Sequence, residues 1–381
     1  MKIFLITSTR ADFGLLKNLI LEFKKNINFD LKIIVTGAHF SKKHGFSYRE
    51  INNEKIKIYK KILITNNVNS AKNILNDMSI ITKNISSLII KDKPDLFMVL
   101  GDRYEILAVS LAAYIAKVPI AHIHGGEVTQ GSLDDGFRHC ISKMSNFHFV
   151  SHNDYKKRLI RLGENPKNIY NVGGLGAYNV DQSKIFSKKE LKELLNINLK
   201  KKILLICLHP ELNKKLTVNL VNETLKALKK HKDKTLIFTM PGVDLHNEVI
   251  FDKIKFFVEN NNTAYYFKNL GSKVFLSFLK ISDAIIGNSS SGILEMPSFK
   301  KPTINIGLRQ YGRVRAASVI DISSKANLIS RTISFIYSKR FLKNKKNFFN
   351  PYKKGNTVKK IISVLKKINL ANLKIKKFYD F

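Results

Sequence analysis

The pattern that most restricts this chain is an alternation, run through twice, of short apolar stretches and longer segments of helical periodicity. Strands of a parallel sheet read as continuous apolar runs because helices cover both faces, and the crossovers between them must themselves be helical. In the first half such runs are Lys2–Thr7, Leu31–Val35, Leu96–Leu100, Ile120–Ile123 and Phe147–Val150, with helices expected at Ser70–Lys91 and Tyr104–Ala116. The rhythm breaks at Val172-Gly173-Gly174-Leu175-Gly176, where the glycine cluster predicts a linker. It restarts with Ile203–Leu208, Leu236–Met240, Ala264–Phe267, Ala284–Gly287 and Thr303–Ile306. A length of 381 residues exceeds one ordinary core and suits two. The expected fold class is therefore α/β: two Rossmann-like doubly wound domains facing a cleft, over 1–172 and 173–356, followed by a helix and tail over 357–381.

Composition narrows the class further. No apolar run approaches the roughly 18 residues that a membrane span needs. Met1–Ile6 stops at Thr7 and gives way to polar Ser8-Thr9-Arg10 without a cleavage pattern, so it reads as a buried strand rather than a signal peptide. Cys140 and Cys207 are the only cysteines, which excludes a disulfide framework and suits a cytoplasmic location. The formal net charge of +37 could attract nucleic acid or a membrane surface. The lysines, however, are spread along the chain among Asn and Ile and read as solvated faces, so neither partner is expected. The basic stretch Lys339–Lys377 contains apolar residues at helical spacing from Val358 to Ile368, the signature of an amphipathic docking helix.

In doubly wound sheets ligands sit beyond the carboxyl ends of the strands, so the loops there are where chemistry belongs. After the first strand comes Ser8-Thr9-Arg10-Ala11-Asp12-Phe13-Gly14: Arg10 can pair with a phosphate, although a capped helix with an Arg–Asp pair fits equally well. Gly101-Asp102-Arg103, His124-Gly125-Gly126-Glu127 and Asp134-Asp135-Gly136-Phe137-Arg138-His139 bring three carboxylate loops to one region. Like charges in a desolvated site raise one another's pKa, so one carboxylate can act as base and another as acid. One of Asp134 and Asp135 is expected to cap its helix, with Arg138 as its partner one turn on. His122 and His124 share a strand face at the spacing of metal ligands, but no further His or Cys cluster supports them, and no metal is expected. In the second half His209 follows a strand in Cys207-Leu208-His209-Pro210-Glu211. Gly287-Asn288-Ser289-Ser290-Ser291-Gly292-Ile293-Leu294-Glu295 reads as a strand, a small-residue turn and a helix start, which is an anion cradle. It lacks the Gly-Lys-Ser/Thr of a P-loop and the glycines of a dinucleotide fingerprint. Glu295 can accept ribose hydroxyls, and Arg309 after the next strand supplies a cation for a diphosphate.

Taken in order, Thr9-Arg10-Ala11-Asp12, Gly101-Asp102-Arg103, His122-Ile123-His124-Gly125-Gly126-Glu127, Asp134-Asp135 with Arg138-His139, Gly287-Asn288-Ser289-Ser290-Ser291-Gly292 and Asn350-Pro351-Tyr352 with Gly355-Asn356 resemble the hydrolysing UDP-N-acetylglucosamine 2-epimerases of sialic and related nonulosonic acid synthesis. The resemblance runs through nearly the whole chain. It implies a GT-B-like arrangement with the last helix packed back on the first domain, no cofactor, and a homo-oligomer. It also implies anti elimination of the nucleoside diphosphate across C1–C2 and hydration of the resulting glycal to a free 2-epimeric sugar. By that resemblance Asp102, Glu127 and Asp134 are the acid/base carboxylates and His209 assists the diphosphate or a proton transfer. Arg10, Asp12, Ser289, Ser290, Glu295 and Arg309 would hold the nucleotide. Some family members carry an acid where this chain has His124, and non-hydrolysing relatives tend to carry Arg-Pro-Glu where it has Arg10-Ala11-Asp12. The expected substrate is UDP-N-acetylglucosamine. The alternative is UDP- or GDP-linked N,N'-diacetylbacillosamine of legionaminic acid synthesis, which Gly173–Gly176 and Ser291–Phe299 resemble.

Two other functions fit parts of the sequence. A GT-B glycosyltransferase shares the cradle but needs an acceptor site rather than three clustered carboxylates. A basic nucleic-acid-binding protein needs an aromatic platform for bases, and none is evident.

Overall fold

The computed structural model describes residues 1–42, 45–68, 70–130, 132–242, 245–370 and 376–380. The chain divides into two compact units, one of Met1–Glu127, Leu133–Asn179 and Tyr352–Phe381, the other of Val128–Ser132 and Val180–Pro351. Among the described residues unit 1 holds seven strands: β1 (Lys2–Thr7), β2 (Asp30–Val35), β3 (Ile58–Lys61), β4 (Leu96–Leu100), β5 (Ile120–Ile123), β6 (Phe147–Val150) and β7 (Ile169–Asn171). They form one sheet in the order β3-β2-β1-β4-β5-β6-β7, every pair parallel. Unit 2 holds β8 (Lys202–Cys207), β9 (Lys234–Thr239), β10 (Ala264–Phe267), β11 (Ala284–Gly287), β12 (Thr303–Ile306) and β13 (Val319–Ile322). Their order is β10-β9-β8-β11-β12-β13, again all parallel. Both are doubly wound Rossmann-like sheets whose strand order reverses beside the first strand, at β1/β4 and at β8/β11. The expected fold class is the observed one.

Three strands carry no signal in the sequence: β3, β7 and β13. All three are sheet edges, and each is short and only partly buried. A strand with one free edge and a wet face needs no apolar run, so hydropathy passes over it. The interior strands β4 and β5 are buried throughout, and their limits match the apolar runs residue for residue.

The unit changes over at Asn179/Val180, and Leu175–Gln182 is a helix. Gly173 and Gly174 lie against Tyr352 and Lys354 of the same unit. A Cβ on Gly173, at φ +91°, would fall 2.8 Å from the Lys354 Cβ and 3.0 Å from the Tyr352 carbonyl oxygen. The Gly174 N–H donates to that carbonyl at 2.9 Å. These glycines serve close backbone approach, not flexibility.

The C-terminal helix Thr357–Lys367 buries Val358, Ile361, Ile362 and Leu365 in one core with Phe13, Leu16, Leu19 and Ile20 of helix Arg10–Lys24. Burial of each such side chain contributes about 2 kcal/mol. Of the tail beyond that helix, 371–375 and 381 lie outside the described residues. No helix among the described residues is long and apolar enough to cross a membrane.

Candidate active site

The carboxyl ends of parallel strands share one edge, so the loops after β1, β4, β5 and β6 stand together in unit 1. The loop after β1 is fixed from within. Thr9 caps helix Arg10–Lys24 and forms a reciprocal capping box with Asp12. The buried Asp12 carboxylate accepts from the N–H groups of Ser8 and Thr9, each at 2.8 Å, and from the Thr7 hydroxyl at 2.9 Å. Its lone pairs are thus engaged by its own loop, the turn that carries half-buried Arg10. His39, buried behind Thr7, bonds the Thr7 and Ser47 hydroxyls, each at 2.9 Å. Burial lowers its pKa, with Asp12 opposing.

Gly101, at φ +82°, turns the chain out of β4 and presents Asp102. The Asp102 carboxylate pairs with the Arg138 guanidinium, which also reaches Asp135 at 3.3 Å. The side chains of the two aspartates are 24% and 22% exposed while that of Arg138 is 2% exposed, so a buried cation holds two carboxylates at the rim. His122 braces this arrangement. Its Nε2–H donates to the Gly101 carbonyl at 2.7 Å, which leaves Nδ1 to accept from the Ser142 hydroxyl at 3.1 Å. Burial lowers its pKa to about 3, so it is neutral across the working range and structural. Arg103 turns instead to fully buried Glu105, at 3.0 Å, whose carboxyl burial pushes upward against that guanidinium.

After β5 the backbone of His124 is left-handed, at φ +66°, which costs about 1 kcal/mol or more for a residue with a Cβ. The turn places His124 Nδ1 3.0 Å from Glu127 Oε1, and the same oxygen accepts from the Ser151 hydroxyl after β6 at 2.9 Å. The Leu175 N–H reaches His124 Nε2 at 3.4 Å, so Nδ1 carries the proton donated to Glu127. Glu127 is 1% exposed, a buried carboxylate with a histidine as its partner. Asp134 and Asp135 open helix Asp134–Met144, where carboxylates favour the positive helix end.

In unit 2 the loops after β8, β11 and β12 are joined by neutral amides. Fully buried Asn288 accepts from the His209 N–H at 2.7 Å and donates to the His209 carbonyl at 2.9 Å and to Glu211 Oε1 at 3.0 Å. Burial raises the Glu211 pKa, opposed by Asn288 and by the charge of Arg309. Buried Gln310 donates to the Asn288 carbonyl at 2.8 Å, and its own Oε1 accepts from Arg313 at 2.9 Å. Arg315 in turn reaches the Gln310 carbonyl at 3.1 Å and pairs with Asp321. Gly287 is demanded by the turn: at φ +134° a Cβ there would lie 2.0 Å from the Cys207 carbonyl oxygen. The expected helix after the serine turn is a single turn, Ser291–Leu294, with Glu295 at its junction with a 3-10 turn, Met296–Phe299. Its dipole is correspondingly small. Among the described residues no backbone hydrogen bond uses the N–H of Ser289 or Ser290, and amides, hydroxyls and the arginines after β12 make this edge receptive to an anion.

Local sequence signals do not show that Arg138 holds Asp102, and they do not single out Ser151, Asn288, Gln310, Arg313 or Arg315 as site residues. Asn288 lies in the small-residue turn, but its side-chain bonds run to His209 and Glu211, 79 and 77 positions away, and have no local signal. Arg313 and Arg315 were readable as a second and third cation close behind Arg309. No group of three or more His, Cys, Asp or Glu side chains suited to a metal occurs among the described residues.

Solved structures of this architecture give the class. The UDP-GlcNAc 2-epimerase from Neisseria meningitidis, bound to UDP-GlcNAc, superposes with a TM-score of 0.84 at 21% identity, covering 97% of this chain and 100% of that one. The fold is thus the GT-B-like one of two Rossmann-like domains. The chain belongs to the UDP-N-acetylglucosamine 2-epimerase family, whose model matches residues 21–366. It is 42% identical to the GDP/UDP-N,N'-diacetylbacillosamine 2-epimerase (hydrolyzing) of Campylobacter jejuni, over 100% of this chain and 99% of the relative. It is 37% identical to the polysialic acid biosynthesis protein P7 of Escherichia coli, over 100% and 97%. It is 31% identical to the UDP-N,N'-diacetylbacillosamine 2-epimerase (hydrolyzing) of Legionella pneumophila, over 97% and 96%.

Proposed function

We propose that the protein is a hydrolysing 2-epimerase of a UDP- or GDP-linked 2-acetamido sugar. A base takes the C2 proton, the electron pair forms the C1–C2 double bond, and the C1–O bond to the nucleoside diphosphate breaks. Water then adds across the glycal, hydroxyl to C1 and a proton to the opposite face of C2. The C2–H bond is weakly acidic, so a placed base and stabilisation of the departing diphosphate must share the barrier.

One observation carries this reading: after β4 a rim carboxylate, Asp102, is held by a buried arginine, and after the neighbouring strand β5 a second carboxylate, Glu127, is hydrogen-bonded to a histidine. Those are two proton-transfer groups in different electrostatic settings, which is what an elimination and a hydration require. Asp102 and Asp134 serve the sugar from the rim, and Glu127 with His124 passes the second proton. Arg10 is a phosphate-binding cation of unit 1; in unit 2 Ser289, Ser290 and Arg309 hold phosphate, Arg313 adds charge, and Glu295 takes the ribose. His209, pinned by Asn288, meets the leaving group. Asp12 acts on the nucleotide through the shape of its loop.

The relatives at 42% and 31% identity favour a 2,4-diacetamido-2,4,6-trideoxy sugar on UDP or GDP as the substrate. The family description favours UDP-N-acetylglucosamine as a second reading. Incubation with each sugar nucleotide in deuterated water, followed by NMR, tests both. A free 2-epimeric sugar with deuterium at C2 is expected. Turnover only when an acceptor sugar is added would point to a glycosyltransferase instead.

A further inference from the structure

Lys376, Phe378 and Tyr379 are seated on unit 1 at the far end of helix Asp134–Met144. A helix leaves the carbonyls of its last turn without intrahelical partners, and its C-terminal end is negative. The Lys376 ammonium donates to the carbonyls of Ser142 at 3.2 Å, Lys143 at 2.5 Å and Ser145 at 2.6 Å. Its charge meets Glu164 Oε2 at 2.7 Å. Glu164 also faces His148 at 2.9 Å and Lys143 at 3.1 Å. Burial lowers the Lys376 pKa to about 8, with Glu164 opposing, so the clamp is charged at neutral pH. Two further contacts seat the same segment. The Phe378 ring lies 4.3 Å from the Lys143 ammonium and covers Gly163, where a Cβ would fall 2.3 Å from it. The Tyr379 N–H donates to the Gly163 carbonyl at 3.0 Å.

The opposite end of this helix carries Asp134 and Asp135 and, one turn in, Arg138, which holds Asp102. Eleven helical residues make a stiff rod of roughly 16 Å, so where its C-terminal end is fixed decides where its first turn stands. His122 tethers the same end through Ser142 and is bonded to the Gly101 carbonyl beside Asp102.

We propose that Lys376 is a positioning residue: by clamping the last carbonyls of helix Asp134–Met144 it sets the placement of Asp134, Asp135 and Arg138 relative to Asp102. This rests on the acid/base reading of Asp102 and Asp134 above. The test uses the full-length chain, with Lys376→Met, Lys376→Arg and Asp102→Asn assayed at saturating and limiting sugar nucleotide. Displacements near 1 Å cost about 10²-fold in rate, and loosening one tether of several should cost about tenfold. Lys376→Met is expected to lose that much kcat with KM within about twofold, to exchange amide protons faster across 134–144, and to melt within about 3 °C of the wild type. Lys376→Arg keeps the charge and the donors and should recover most of the rate. Wild-type kcat in Lys376→Met would overturn the proposal. So would a parallel fall of kcat, KM performance and melting temperature that Lys376→Arg fails to rescue, which is the mark of a merely structural contact. Full rate in Asp102→Asn removes the acid/base reading itself. A slow Asp102→Asn beside a fast Lys376→Met removes only the positioning role.

Discussion

Each sheet is all parallel and the two follow one strand order, with a seventh strand added in unit 1, yet their carboxyl edges are opposite in chemistry. The edge of unit 1 is carboxylate-rich, and its anchors are charged or titratable: Arg138 for Asp102 and Asp135, His124 for Glu127. The edge of unit 2 presents hydroxyls and arginines, and its anchors are the buried neutral amides Asn288 and Gln310. Each choice has a physical reason. Clustered carboxylates repel one another unless a cation stands among them, and a buried, hydrogen-bonded guanidinium supplies one. A turn proposed to hold an anion gains nothing from a buried charge that would compete for it or cost several kcal/mol to desolvate, so an amide that both donates and accepts is the better brace. Topology decides where ligands meet the sheet, and the side chains there decide whether protons are moved or charge is held.

That division of labour can be broken by paired variants. The largest effect is expected for Asp102→Asn, which should lower kcat by about 10²- to 10⁴-fold with little change in KM, measured by nucleotide release. A raised KM at unchanged kcat would assign Asp102 to binding instead. Next comes Gly287→Ala, whose methyl would meet the Cys207 carbonyl at a strained φ. A loss of about 3 kcal/mol is expected in urea unfolding. Arg313→Ala should raise KM and the inhibition constant of the free nucleotide about tenfold, the size of one charge-assisted hydrogen bond, at nearly constant kcat. A fall in kcat alone would erase the contrast between the units.

Smaller effects sharpen the picture. Burial pushes the Glu164 carboxyl up, but His148 and Lys376 outweigh it and hold the pKa below its ordinary value. Its contribution to stability is therefore full above the unfolded value of about 4.3 and is lost as pH falls through the lower folded one. Glu164→Gln should flatten the acid limb of the melting temperature against pH, and an unchanged limb would remove Glu164 from it. The smallest effect is expected at Gly136, inside helix Asp134–Met144, where an added Cβ meets nothing within 4 Å. Gly136→Ala should stabilise unit 1 by about 0.5–1 kcal/mol, the reverse in sign of Gly287→Ala, and a destabilised variant would show that the space is occupied.

What the sequence determined by itself was whatever leaves a local trace. The interior strands β4, β5, β6, β11 and β12 are buried along their length and mostly apolar, so their limits, the doubly wound class and the loops that follow them were all legible. The amphipathic helix Thr357–Lys367 was legible too, from the spacing of the side chains it buries. Only the tertiary structure decided the rest. Edge strands β3, β7 and β13 owe their existence to a neighbour's hydrogen bonds rather than to their own hydropathy. Gly173 and Gly174 read locally as a linker, and only the fold shows Tyr352, far along the chain, packed against them. Asp12 and Asp102 are equally acidic on paper, yet one is saturated by its own loop and the other is aimed by an arginine 36 residues away. Periodicity and propensity are properties of neighbours in the chain, whereas a carboxylate's role is set by the charges and donors around it, and those are assembled only when distant segments fold together.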